Sequence, residues 1–155
     1  MRFQKTVFLM ALVLLLSSFS YAAPVAGKVR SALGDVSRQK KNQSTWSTLR
    51  VGAKVFQTDK VKTGQESELV LGLPDGSIIT IEEHSEVELS ELFEENGAYK
   101  TSIDIQSGRL SFAAQKQEKK TASFSFKTGT AVAAIRGTEG VISSKPFFAG
   151  LRNGK

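Results

Sequence analysis

The 155 residues include no cysteine, one histidine (His84) and one tryptophan (Trp46). Without cysteine there is no thiol nucleophile, disulfide, thiolate zinc site or iron–sulfur cluster. One histidine leaves a His-rich metal centre or a His-dependent triad without its parts. No Gly-x-Ser-x-Gly elbow occurs, and Thr63-Gly64 and Thr128-Gly129-Thr130 lack the lysine and spacing of a phosphate-binding loop. Most familiar enzyme designs are thereby excluded, and the expectation is a protein with no catalytic residues, no cofactor and no metal. Missing cysteine is compatible with an oxidising compartment; it says only that the fold uses no bridges.

What is present falls into two parts. Arg2 and Lys5 precede an almost unbroken apolar run, Thr6 to Phe19, and Ser20-Tyr21-Ala22 follows with small residues at the minus-three and minus-one positions. That is the pattern of a secretory signal peptide cleaved after Ala22. A retained membrane anchor is the alternative, but the run is shorter than the ~20 residues a bilayer core requires. Residues 1–22 are therefore expected to be a signal peptide. Residues 23–155 are expected to form one domain, with its core over 27–142 and no membrane span after processing. A chain of that size buries roughly two-thirds of its unfolded surface, which suffices without disulfides.

Beyond the leader, strand-like alternation is broken by turn residues every ~8 to 12 positions, the signature of an all-β domain. Short strands are expected at Val25 to Arg30, Gly34 to Arg38 and around an Asp59 turn between Val55 and Val61. Glu66 to Leu73 sets Ser67, Leu69, Leu71 and Leu73 on one face against Glu66, Glu68 and Val70 on the other. Leu73-Pro74-Asp75-Gly76-Ser77 is a reverse turn: Pro74 presets φ, Asp75 bonds its own backbone, and Gly76 takes the positive φ. Ile78 to Ile81 returns as the partner strand, and Ser85 to Leu89 alternates Val87 and Leu89 with Glu86 and Glu88. Glu88 to Glu95 also fits a short helical turn. Asn96-Gly97 marks a tight turn. Ala98 to Ile105, Gly108 to Ala113, Ala122 to Phe126 and Ala131 to Ile135 follow as strands, with Gln115 to Lys120 as a polar loop and Pro146 to Lys155 without a clear period. The fold class is all-β, a single domain of short strands in a roll or solenoid-like stack, with an antiparallel β-sandwich as the alternative.

Several of these pieces stand in an order that resembles a known family. They are Gly27-Lys28-Val29, Gly34-Asp35-Val36, Trp46 through Gly52, Asp59 through Gly64, Leu71 through Asp75-Gly76-Ser77 to Ile81, Gly108-Arg109-Leu110, and Thr130 through Arg136-Gly137-Thr138. Together they resemble the FecR domain of the bacterial envelope from about Gly27 to Thr138. The resemblance implies an extracytoplasmic, non-catalytic, all-β domain. Its best-known relatives follow a cytoplasmic anti-sigma segment and a membrane span, and relay a signal from an outer-membrane TonB-dependent receptor. Here a cleavable leader stands in place of those segments, so the expectation is a periplasmic or secreted module without transmembrane sigma-factor control. Its expected partner is another envelope protein.

Charge is segregated along the chain. Lys28 to Lys62 carries nine basic residues against Asp35 and Asp59; Thr63 to Asp104 carries eleven carboxylates against Lys100; Arg109 to Lys155 is basic again. Basic strands lying beside acidic ones would pair these charges across the sheet; the alternative is two surfaces that orient a partner. The glutamates from Glu82 to Glu95 lack the converging pattern of a calcium loop and the separated, buried pair of a glycosidase, and read as a solvated face; a structural scaffold or polyanion- or glycan-binding domain is the alternative function, and a carbohydrate-active enzyme a less favoured one. His84 reads as a surface residue in a turn, or a pH-sensitive one. Arg136 ends the apolar run Ala131 to Ile135, taken as a buried strand, and is expected to latch to a carboxylate or to turn carbonyls with Gly137 and Thr138 beside it. Trp46 is expected to plug the core, or to stack on a ligand if exposed. Export, the acidic middle and the lack of an aromatic-basic strand motif argue against nucleic acid, whereas polyanionic envelope components fit the Lys28 to Lys62 face. The interaction or structural candidates are thus Trp46, Asp75, Gly76, Ser77, Arg136, Gly137 and Thr138.

Overall fold

Where apolar side chains fall at every second position, an extended backbone turns one face inward. The computed structural model describes residues 25–95, 98–115, 123–136 and 139–144, and the described residues contain strands and turns but no α-helix. In chain order the strands are β1 (Val25–Leu33), β2 (Val36–Gln39), β3 (Trp46–Thr48), β4 (Lys54–Phe56), β5 (Lys60–Thr63), β6 (Glu68–Gly72), β7 (Ile78–Ile81), β8 (Glu86–Glu95), β9 (Ala98–Ala113), β10 (Ser123–Thr128), β11 (Val132–Arg136) and β12 (Glu139–Ser144). The alternation expected of residues 66–73 is realised: Ser67, Leu69, Leu71 and Leu73 are buried, while Glu66 and Glu68 are exposed.

All the strands belong to one curled sheet with two halves. The first half runs β4-β1-β6-β7-β9-β12 and the second β3-β2-β5-β8-β9-β10-β11. Neighbours are antiparallel except β9 and β10, which are parallel from Ser123 opposite Lys100 to Thr128 opposite Ile105. The inward faces share a single core, with Leu71, Ile81 and Leu110 from the first half and Val61, Val87 and Ile105 from the second. This is the expected all-β fold. The roll describes it better than the sandwich, because β9 makes both halves one continuous ladder.

Chain segments change halves at corners where the backbone takes a positive φ: Gly34 (72°), Thr58 (68°), Glu66 (50°), His84 (52°) and Gly108 (96°). Corners cannot use ladder hydrogen bonds, so their polar groups are satisfied by the neighbouring corner. Gly64 N–H donates to Asp35 O (2.9 Å), His84 N–H to Gly64 O (3.0 Å) and Glu82 N–H to Arg109 O (3.0 Å). Hydroxyls complete the stack. Ser67 Oγ accepts from Asp35 N–H (2.8 Å), Thr63 Oγ1 from Ser85 N–H (3.0 Å) and Ser85 Oγ from Arg109 N–H (3.0 Å).

Some expectations change. The helical turn at Glu88 to Glu95 is instead part of β8, held by β9 through pairs from Glu88 opposite Asp104 to Glu95 opposite Ala98. Ala98 to Ile105 and Gly108 to Ala113 are one strand, because Gly108 bends the chain without ending its pairing. β3 and β12 were not anticipated as strands. The expected signal peptide, residues 1–22, lies outside the described residues, as do Asn96-Gly97, residues 116–120 and Pro146 to Lys155.

Candidate functional site

The Asp75-Gly76-Ser77 turn points its polar atoms inward. Asp75 Oδ1 accepts from Ser77 N–H (2.9 Å) and Oδ2 from the Ser77 hydroxyl (2.8 Å), and that hydroxyl accepts from Gln115 N–H (3.0 Å). Leu73 N–H donates to Ser77 O (2.8 Å) and closes the hairpin, with Gly76 at φ 88°. Asp75 and Ser77 are both buried. These three residues fix the turn and bind its neighbour, so the motif acts through geometry.

Trp46 is a correction. It is 39% exposed rather than a core plug, because β3 is a three-residue edge strand that pairs, among the described residues, with β2 alone, Trp46 standing opposite Gln39. The strand before Arg136 is also not buried: Ala131 to Ala134 are exposed, and β11 lies at the margin of the second half. The Arg136 side chain, Gly137 and Thr138 lie outside the described residues, and so does the proposed latch. His84 is exposed at its corner.

A latch of the kind expected at Arg136 is present elsewhere. Arg38 Nη1 donates to Lys54 O (2.6 Å) and lies 3.6 Å from Asp59 Oδ2. Asp59 is buried, and the same oxygen accepts from Phe56 N–H (2.9 Å). The Asp59 turn was legible in the sequence; its arginine, 21 residues earlier, was not, because only the β2–β5 register brings the two together. Asp59→Ala would strand the Phe56 N–H and remove the counter-charge of a largely buried guanidinium. We expect a loss of about 2–3 kcal/mol in urea unfolding, with Asp59→Asn less costly because it keeps an acceptor.

The segregated charges pair in part as expected. Basic β5 lies beside acidic β8, with Lys60 opposite Glu88 and Lys62 opposite Glu86, and Lys127 lies opposite Asp104. Arg109 Nη1 is 3.5 Å from Glu82 Oε2. Among the described residues no three histidine or carboxylate side chains gather to hold a metal, and no helix is long and apolar enough to cross a membrane. A shallow cavity of about 380 Å³ opens on the β8–β11 surface between Glu91, Lys100, Ser125, Lys127 and Ala134.

The family model described as FecR protein matches residues 59–147, more than half of the chain. This chain belongs to the FecR family. No curated protein and no solved structure matches it. The FecR match contains the Asp75-Gly76-Ser77 hairpin, the corners at Glu66, His84 and Gly108, and all of β9. It begins at Asp59, so β1 to β4 lie ahead of the matched region although the resemblance in sequence began at Gly27. FecR proteins form a regulatory family of the envelope rather than an enzyme family.

Proposed function

We propose that this chain is an exported, non-catalytic FecR-family module of the bacterial envelope that regulates by binding another envelope protein. The observation that carries the reading is the family match over residues 59–147. Two further features support it. The basic start, apolar run and small residues at Ser20 and Ala22 have the order of a cleavable leader. The polar residues of the hairpin and the corners are bonded to one another, which leaves the outward strand faces as the surface a partner would meet.

Crosslinking in intact cells, followed by identification of the captured species, tests the binding role. Recovery of a defined envelope protein is the expected result. Turnover of a glycan by the purified protein, abolished by Glu-to-Gln changes, would replace the reading with an enzymatic one. N-terminal sequencing of exported material should begin at Ala23, and a start at Met1 in a membrane fraction would remove the periplasmic or secreted assignment.

A further inference from the structure

Across the outer face of the first half, register sets Lys54 of β4 opposite Lys28 of β1, and Lys28 opposite Gly72 of β6. Gly72 has no side chain, and the Arg30 guanidinium fills that space, with Cζ and Nη2 each 3.2 Å from where a Cβ would stand. Three cations therefore lie in a row at the strand spacing of about 4.8 Å. All three are exposed. The ion pairs of Arg38 with Asp59 and of Arg109 with Glu82 do not include this row.

Like charges directly opposite on neighbouring strands oppose folding. Elsewhere such an opposition is offset within its own row: Glu88 faces Asp104, but Lys60 and Lys127 flank the two, and Lys62 faces Glu86. A local feature that works against the fold, where the same sheet elsewhere resolves the conflict, marks a surface kept for a ligand. The row continues beyond Gly72 to Ile78 of β7, 42% exposed, to exposed Ala113 of β9, and ends at exposed Glu139 of β12. A complementary ligand thus carries anions over the three cations and aliphatic groups over Ile78 and Ala113, stopping short of Glu139. Polypeptides combine carboxylates with aliphatic side chains at this spacing; phosphate polymers and sulfated glycans do not.

We propose that Lys54, Lys28 and Arg30, continued by Ile78 and Ala113, form the docking surface for an acidic, aliphatic-tipped segment of a partner protein. The inference rests on the chain being a protein-binding module. Lys28, Arg30 and Lys54 lie ahead of the FecR-matched residues, and Ile78 and Ala113 lie within them.

Fluorescence anisotropy with the purified protein and a labelled peptide of glutamates followed by leucines provides the test. The Lys28→Glu, Lys54→Glu double reversal should weaken binding about tenfold or more. Raising salt from about 0.05 to 0.5 M should weaken the parent strongly, since screening then acts within a few ångströms. Lys41→Glu, on the β2–β3 turn, should leave affinity unchanged. Lys28→Glu alone sets opposite charges across β1 and β4, so it should weaken binding while the melting temperature holds or rises, which separates lost docking from lost folding. Equal binding by the double reversal, equal binding of a glutamine peptide in place of the glutamate one, or capture of anionic vesicles or heparin without the peptide would each overturn the assignment. Failure of the envelope crosslinking with parent peptide binding intact would instead count against the functional reading alone.

Discussion

Gly108→Ala is expected to cost about 3–5 kcal/mol in chemical unfolding, and thereby roughly a fifth or more of the stability of an ordinary domain. Two separate costs combine. Gly108 holds φ at 96°, a conformation that costs a side-chain-bearing residue about 1–3 kcal/mol. A Cβ there would also run into the Ser85 backbone and side chain, closer than real atoms approach. Relieving that overlap displaces the residue whose hydroxyl accepts from Arg109 N–H and whose N–H donates to Thr63 Oγ1, so a further ~1–3 kcal/mol follows. Gly52→Ala separates the two costs. Gly52 has a similar φ of 84° but nothing within 4 Å of the added carbon, so it should show only the conformational part. Equal losses at both positions would mean that the close packing of the β9 bend on the Ser85 corner contributes nothing.

Phe112→Ala should be comparably damaging, at about 3–5 kcal/mol. Phe112 lies in the first half of the sheet, and its ring centroid is 5.3 Å from that of Phe124 and 4.9 Å from that of Phe126, both on β10 in the second. The two β10 rings stack within 8° of parallel, 5.9 Å apart. Removing Phe112 therefore empties the place where the two halves meet, and the loss comprises transfer from water, a cavity and two aromatic contacts. Gly140 of β12, opposite Phe112, leaves room for the ring: a Cβ there would come within 2.8 Å of it. Phe112→Leu, which keeps most of the volume, should cost under about 1.5 kcal/mol. Similar losses for Ala and Leu would show that the ring contacts, rather than the filled space, hold the halves together.

Local chemistry was readable in advance. The hairpin at Asp75-Gly76-Ser77 and the two faces of residues 66–73 depend on neighbours within a few positions, and both have the expected form. Features set by distant residues were not. Arg38 and Asp59 meet only once β2 lies beside β5, and the Lys28–Lys54 opposition exists only because β4 pairs β1. Trp46 and the Ala131 to Ile135 run show the limit of reading burial from composition. An apolar side chain is inside only if another layer covers it, and both lie on strands at the sheet's margins. The break expected between Ile105 and Gly108 failed for a related reason. A glycine that would end a short strand instead bends a long one when partners wait on both sides.

That long strand sets how the molecule comes apart. β9 supplies rungs to both sides of the curled sheet, to β8 over Ala98–Ser107 and to β7 and β12 over Gly108–Ala113, so peeling β8 away frees a strand whose very next residues hold the other side. Opening either side therefore costs rungs on the one strand that the other side also uses, and the bend at Gly108 is where the two sets of rungs adjoin.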